Sequence, residues 1–261
     1  MKNIALITGA SSGIGREFAR IHAAKGGDLI LVARREQALN ELKVELNQAH
    51  GTETMIIAQD LSQVGAAQSI YDQVVKAGHR VDILINNAGF GGQGNFHERP
   101  MASDTDMMQV NIVALTQLTK LFLPSMVARD HGRVLNVSST ASLMPGPLQA
   151  VYFATKAYVT SFSNAVFGEL HKSKVTVTAL LPGVTASEFA QTSGMDKTSL
   201  FDANVVPAFD VAKAGYDAMM KGELNIIYKL TFGQKMLMRM MNLMPKKMVL
   251  NQVRQMQEVK A

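Results

Sequence analysis

The chain contains no cysteine, which excludes structural disulfides, thiolate nucleophiles and cysteine-based zinc sites. Long hydrophobic runs are missing too. No stretch of about 18 apolar residues is free of charge, so a membrane-spanning helix has no support. Met1 to Ala10 carries one lysine and a short apolar run that enters a glycine-rich turn before reaching secretory length. No export signal is visible there, and a cytoplasmic protein is expected. The six histidines, His22, His50, His79, His97, His131 and His171, show no metal-like pairing. They read as core or surface residues, and no metal is expected. A serine-hydrolase reading lacks its Gly-x-Ser-x-Gly elbow.

What is present suits one large α/β domain of 261 residues, with 47% hydrophobic and 18% charged residues. The net charge of +5 is unevenly placed. Residues 1–220 hold 18 Lys+Arg against 19 Asp+Glu, whereas residues 221–261 hold 8 against 2. Generic phosphate steering does not need such segregation. The basic tail also lacks interleaved aromatics, so nucleic-acid binding is not expected.

Apolar strands alternate with helical patterns along the chain. Ile4 to Thr8 leads into a glycine turn and a helix with Phe18, Ala19, Ile21 and His22. Leu29 to Ala33 precedes a helix through Leu39, Leu42 and Leu46. Thr54 to Ala58 precedes a helix from Ser62, and Val81 to Ile85 precedes a glycine-rich loop. One long helical stretch runs from Met101 to Val127, followed by a strand Arg133 to Val137, a helix from about Ala150 to His171 and a strand Val175 to Leu180. Pro182-Gly183 then breaks the chain. Thr185 to Pro207 reads as a long loop, Asp210 to Met220 as a helix and Asn225 to Tyr228 as a last short strand. Near-continuous apolar strands separated by helices imply a parallel sheet covered on both faces. The expected fold is α/β: a doubly wound Rossmann domain over residues 1–230, with about seven strands, and a helical extension over residues 231–261. Lys120, Arg129 and Arg133, at helix and loop ends, are expected to be solvated.

The first turn supplies a phosphate cradle. Gly9, Gly13 and Gly15, with Ser11, Ser12 and Ile14 between them, let the backbone approach a pyrophosphate at a helix N-terminus. About 20 residues on, an NAD site would place a carboxylate for the ribose 2′-hydroxyl. The second strand here ends Val32-Ala33-Arg34-Arg35 instead. Two guanidiniums suit a 2′-phosphate, so Arg34 and Arg35 favour NADP(H). The alternative is a solvated helix start, which a cation at a helix N-terminus mildly disfavours.

Tyr152 and Lys156 fall four apart on a predicted helix and so share a face. A tyrosine with an ordinary pKa near ~10 is a poor acid–base group at neutral pH, and a neighbouring ammonium lowers that value. Ser139 leaves the carboxyl end of the fifth strand, where open α/β sheets bind ligands. Thr8-Gly9-x-x-x-Gly13-x-Gly15, Asp60, Asn86-Asn87-Ala88-Gly89, Asn111, Ser139, Tyr152-x-x-x-Lys156 and Pro182-Gly183 together resemble the short-chain dehydrogenase/reductase family, over about residues 2–228. The resemblance implies that Tyr152 exchanges the proton and Ser139 orients the carbonyl. It implies that Lys156 lowers the tyrosine pKa and binds the nicotinamide ribose, while Asn111 holds a water linking Lys156 to solvent. It places Asp60 and Leu61 at the adenine, and Asn87, Ala88 and Gly89 along the adenosine side. Where the family has a threonine after Pro182-Gly183, this chain has Ser187, with Thr185 two earlier, and either hydroxyl can serve the cofactor amide. Subunits of the family commonly pair through the helices that carry Asn111 and Tyr152, so a homo-oligomer, dimer or tetramer, is expected.

Gly233 to Met256 interleaves Met236, Met238, Met240, Met241, Met244, Met248 and Met256 with Lys235, Arg239, Lys246, Lys247 and Arg254. Pro245 divides it into two short helices. Leu237, Met241, Met244 and Met248 fall near helical spacing and form either a face packed on the body or a sister subunit, or a basic amphipathic segment on an anionic membrane or over a greasy pocket. The tail is similar to those of branches related to long-chain ketoacyl reductases, which implies a hydrophobic carbonyl substrate. The expected activity is NADPH-dependent reduction of a small-molecule ketone or aldehyde. The competing reading is an NADP-binding redox sensor or scaffold without turnover, which would not need the intact proton relay. Phe90, Phe96, Phe189 and Phe201 point weakly to an apolar cavity.

Overall fold

A computed structural model describes residues 2–194, 205–228 and 245–258. Among these, seven strands form one parallel sheet in the order β3-β2-β1-β4-β5-β6-β9. The strands are β1 Ile4–Thr8, β2 Asp28–Ala33, β3 Thr54–Ala58, β4 Ile83–Asn86, β5 Arg133–Val137, β6 Thr176–Leu181 and β9 Asn225–Ile227. Two further short strands, β7 Thr185–Ala186 and β8 Val206–Pro207, pair with each other. The helices are α1 Gly13–Ala24, α2 Glu36–His50, α3 Ala66–Lys76, α4 Met101–Met108, α5 Leu115–Ala128, α6 Ala150–Glu169, α7 Phe189–Ser193 and α8 Ala208–Lys221. A C-terminal helix follows at Lys246–Gln257.

The strands are apolar on both faces because both faces are covered. Side chains alternate across a strand, and the alternation divides the interior in two. Ala5 and Ile7 of β1, Leu29 and Leu31 of β2, and Ile83 and Ile85 of β4 enter the core shared with Phe18, Leu39 and Tyr216. Leu6, Ile30, Val32 and Leu84 enter the opposite core, with Ile70, Leu118 and Phe122. The register sets Ile7 beside Leu31 on one side and Ile85 on the other. Strand order reverses at β1, whose successive neighbours are β2 and β4, so a crevice opens beyond the carboxyl ends of β1 and β4.

Several expectations need correction. The stretch from Met101 is not one α-helix, because Gln109–Ala114 forms a π-helical turn between α4 and α5. Asn111, buried in that turn, bonds the backbone of Phe90, 21 positions away. Among the described residues Met101–Ala128 is the one helical stretch long and apolar enough to cross a membrane, yet Met107, Leu118, Phe122 and Met126 are buried in the protein core. The third helix starts at Ala66, not Ser62, because the Asp60 carboxylate holds the Ser62 N–H at 2.9 Å and Gly65 turns with φ +84°. The loop expected from Thr185 to Pro207 carries β7, α7 and β8 among its described residues.

Arg129 and Arg133 are half-buried and bonded to protein partners. Arg129 pairs with the buried Asp82 at 2.7 Å and donates to the Val81 carbonyl at 2.9 Å, while Asp82 also accepts from the Ile4 N–H. Arg133 donates to the Lys174 carbonyl at 2.7 Å. Lys120 is exposed, as expected.

The second half of the tail is a helix that begins after Pro245. Its inward face differs from the expected one. Met248 is exposed, and Val249, Val253 and Gln257, at spacings of four, are buried. Leu237, Met241 and Met244 lie outside the described residues. The apolar face of this helix is therefore committed to the body of the protein.

The Arg129–Asp82 pair yields a stability prediction. Removing the guanidinium leaves a buried carboxylate short of a partner, a cost of about 2 kcal/mol. Arg129→Met should lower the unfolding free energy in urea by that amount, whereas Lys174→Ala, which breaks an exposed pair with Asp130, should change it by less than about 0.5 kcal/mol.

Candidate active site

The turn after β1 is shaped by contacts that leave no room for side chains. Gly9 and Gly13 have φ of +67° and +52°. A Cβ on Gly9 would lie 2.8 Å from Asn87 Nδ2, and one on Gly15 would lie 2.2 Å from the Gly9 carbonyl oxygen. The Thr8 hydroxyl accepts the N–H groups of Asn87 and Ala88 at 3.0 Å each, and the Asn87 amide donates to the carbonyls of Thr8 and Gly9. These bonds clamp the ends of β1 and β4 together at the crevice. Ser12 precedes α1 without a side-chain capping bond, so the first N–H groups of α1 are not satisfied by that hydroxyl. This donor set fits the pyrophosphate of a dinucleotide.

Beyond β2, Arg34 is exposed and Arg35 precedes α2. Arg35 reaches the Ser11 hydroxyl at 3.2 Å and the Glu188 carboxylate at 2.8 Å. Asp60 is half-buried and Leu61 is buried at the end of β3, which puts both on the side of the sheet where Arg35 stands.

The catalytic candidates converge from β5, the π-helical turn and α6. Ser139 opens a short 3₁₀ turn, where its hydroxyl accepts the Ala141 N–H at 3.1 Å. The same hydroxyl stands near enough to the Tyr152 phenol to lower its pKa. Lys156 is buried, donates to the Val137 carbonyl at 2.9 Å, and lies 5.8 Å from the centre of the Tyr152 ring. Burial pushes the Tyr152 phenol up to about 12, with the Ser139 hydroxyl acting the other way. Burial also brings the Lys156 ammonium down to about 8. The expectation that Lys156 depresses the tyrosine is thus not met in this geometry. Desolvation is the largest influence on the phenol, and the Lys156 ammonium donates to the Val137 carbonyl.

The Asn111 side chain bonds protein partners. Its Oδ1 accepts the Phe90 N–H at 3.1 Å, and its Nδ2 donates to the Phe90 carbonyl and to Thr155 Oγ1. It holds the strand-end loop close to Lys156: a Cβ on Gly89 would lie 3.0 Å from Asn111 Oδ1 and 3.3 Å from Lys156 Nζ. Between the two hydroxyls after Pro182-Gly183, the structure separates roles. Thr185 is buried and donates to the Gly183 carbonyl. Ser187 lies over the glycine turn, its Cβ 3.0 Å from where a Gly13 Cβ would stand.

An apolar cluster surrounds the tyrosine. Met107, Phe153, Val249 and Val253 are buried with Tyr152, and Phe90, Met144, Phe189 and Met256 pack against them. Phe96 is exposed and takes no part, and Phe201 lies outside the described residues. Three glutamines were absent from the sequence reading: Gln93 and Gln149 donate to the carbonyl and side-chain oxygen of Gln257, tying the C-terminal helix to the rim of the site. Gln149 was discoverable, because it stands three residues before Tyr152 at the start of the same helix and so meets its face. Gln257 carries no such signal.

This crevice, cradle and hydroxyl pair define an enzyme that binds a nicotinamide dinucleotide at the switch point of a parallel sheet. The family model described as short chain dehydrogenase matches residues 3–198, and the chain belongs to that family. It is an NAD(P)-dependent oxidoreductase acting on CH–OH and C=O groups. It is 30% identical over 233 residues to the mouse (Mus musculus) dehydrogenase/reductase SDR family member 7B, covering 86% of this chain and 72% of that protein. It is 32% identical to the mouse very-long-chain 3-oxoacyl-CoA reductase, over 75% of this chain and 64% of the other. The chain thus spans about two thirds of the length of that reductase. A solved short-chain dehydrogenase from Sphingobium yanoikuyae in complex with NADPH superposes with a TM-score of 0.83 at 28% identity, over 99% of both chains.

The shifted lysine has a consequence for stability. Between pH 8 and its ordinary 10.5, Lys156 binds fewer protons in the folded chain than in the unfolded one. Its contribution to stability therefore rises with pH across that window. Tyr152 has the opposite sign and acts only above pH 10, where the folded chain retains a proton the unfolded chain loses. From pH 7.5 to 9.5 the unfolding free energy of the wild type should rise relative to Lys156→Met by on the order of 1–2 kcal/mol. A difference independent of pH would contradict the burial of a charged amine.

Proposed function

We propose that the protein is an NADPH-dependent reductase that converts a hydrophobic ketone or aldehyde to its alcohol, with Tyr152 as the proton donor. The observation that carries the reading is the convergence of Tyr152, the Ser139 hydroxyl that acts on it and buried Lys156 beside an apolar cluster. A carbonyl oxygen accepting from both hydroxyls would be polarised and given a proton at one position. Bound NADPH supplies the hydride. The chain does the rest. Ser139 orients the oxygen, Tyr152 transfers its proton, and buried Lys156 lies within reach of the tyrosine ring. The phenol is protonated at neutral pH, and charge developing on the substrate oxygen draws the proton across against the raised pKa that burial gives the group.

Arg34 and Arg35, with no carboxylate at the end of β2, support NADPH as the preferred cofactor. The NADPH complex of the Sphingobium enzyme agrees with this choice. Val249, Val253 and Met256 wall the site with aliphatic surface, and two similar mammalian proteins carry reductase names, one of them for very-long-chain 3-oxoacyl-CoA. An acyl-chain carbonyl is therefore the favoured substrate class. The reading extends to a cytoplasmic enzyme drawing on the reductive NADPH pool. It also extends to a homo-oligomer paired through α5 and α6, where Val127 and Tyr158 expose apolar surface. For the membrane, the packed helix after Pro245 supports a pocket-covering role over a surface-binding one.

The test is NADPH oxidation across ketones, aldehydes and ketoacyl thioesters of graded chain length. The specificity constant should climb roughly fourfold per methylene buried, following about 0.8 kcal/mol each, until the pocket is filled. A profile flat in chain length would defeat the hydrophobic-substrate reading. In the same assays Arg34→Asp should raise the Kd for NADPH by about tenfold or more and leave that for NADH within about twofold. Equal losses for the two cofactors would defeat the NADPH assignment.

A further inference from the structure

Three consecutive residues after β7 touch three different parts of the site. Ser187 lies on Gly13 of the phosphate turn. Phe189 packs its ring 5.4 Å from that of Tyr152. Between them, the Glu188 carboxylate meets the Arg35 guanidinium at 2.8 and 3.3 Å. The segment is anchored from behind by β7, whose Thr185 pairs with Val206 of β8. Arg35 and Glu188 are 153 positions apart in sequence, so their pairing is set by the fold.

We infer that Glu188 is a cofactor-selecting residue, a tethered anion that competes with the 2′-phosphate of NADPH for Arg35. The inference rests on the NADPH reading above. Arg35 spends both terminal nitrogens on Glu188, and one of them also serves Ser11. Glu188 holds the Nη1–Nη2 edge of the guanidinium, so a phosphate must either displace the carboxylate from that edge or bind at the Nε edge beside it. Leaving the two anions side by side would set like charges against each other. The neighbourhood already favours an anion: Arg35, the Ser12 hydroxyl and the more distant Arg16 hold the Glu188 carboxyl below its ordinary range. NADH brings no 2′-phosphate, and its ribose hydroxyl can donate to a carboxylate. Glu188 therefore opposes NADPH selectively, and the preference that Arg34 and Arg35 create is weaker than two arginines alone would give. Both partners are about half exposed, which limits the effect to a modest factor.

The experiment is fluorescence titration of the full chain with NADPH and with NADH, for wild type, Glu188→Gln, Arg35→Gln and the double variant. Glu188→Gln should tighten NADPH by about three- to fivefold and leave NADH unchanged or slightly weaker. In the Arg35→Gln background the same substitution should bring no gain, because the competition acts through that guanidinium. Weaker NADPH binding by Glu188→Gln would show a clasp and overturn the inference. Equal changes for both cofactors, or a gain that persists without Arg35, would overturn it as well. A wild type that binds NADH more tightly, with Arg35→Gln affecting neither cofactor, would instead overturn the arginine assignment beneath it.

Discussion

The Thr8 hydroxyl joins the ends of two paired strands whose connections diverge. By accepting the N–H groups of Asn87 and Ala88, it holds the loop after β4 against the turn after β1, at the point where strand order reverses. The crevice exists because neighbouring parallel strands send their connections to opposite faces there. Without a clamp, the two loops would be free to part. With it, Gly9 and Gly15 are pressed so close to Asn87 and to each other that only hydrogen fits at their α-carbons. The backbone path of the phosphate cradle, the position of Gly89 and the placing of Asn111 beside Lys156 all follow from that contact.

Burial sets the chemistry on the other side of the crevice. Lys156 and Tyr152 sit in a low-dielectric wall made by α4, α6 and the C-terminal helix, and desolvation moves each toward its neutral form. A neutral phenol beside a partly neutral amine is a proton store with little net charge to stabilise. The same wall that produces these shifts offers an apolar substrate its binding surface, so proton chemistry and substrate class share one physical origin. The glutamines that pin the C-terminal helix then become part of the site, since Gln257 keeps Val253 and Val249 over the tyrosine.

Strand positions were readable because near-continuous apolar runs such as Ile4 to Thr8 have few other uses, and the glycine turn, Ser139 and Tyr152 with Lys156 stood out by spacing. Features set by contacts between distant segments were not readable. Asn111 was visible as a site residue, but its bonds to Phe90 and the π-helical turn they accompany depend on how two loops meet. Arg129 reads as a surface cation in its own segment, and only the fold brings it to Asp82, 47 positions away. The tail misled for a related reason. Methionines dominate its composition, yet the buried face of the described helix is formed by Val249, Val253 and Gln257, and Met248 points to solvent. Glu188 has no local signature at all, because its meaning comes from Arg35.

The central claim is that Tyr152 supplies the proton while the rest of the site binds the cofactor without it. The most direct measurement compares wild type and Tyr152→Phe for NADPH affinity and for single-turnover reduction of whichever carbonyl is turned over. Phenylalanine keeps the ring in its apolar cluster and removes only the hydroxyl. The account predicts an NADPH Kd within about twofold of wild type and a turnover rate lower by about 10²- to 10⁴-fold, the usual worth of a positioned acid. A rate left unchanged by the substitution would contradict it.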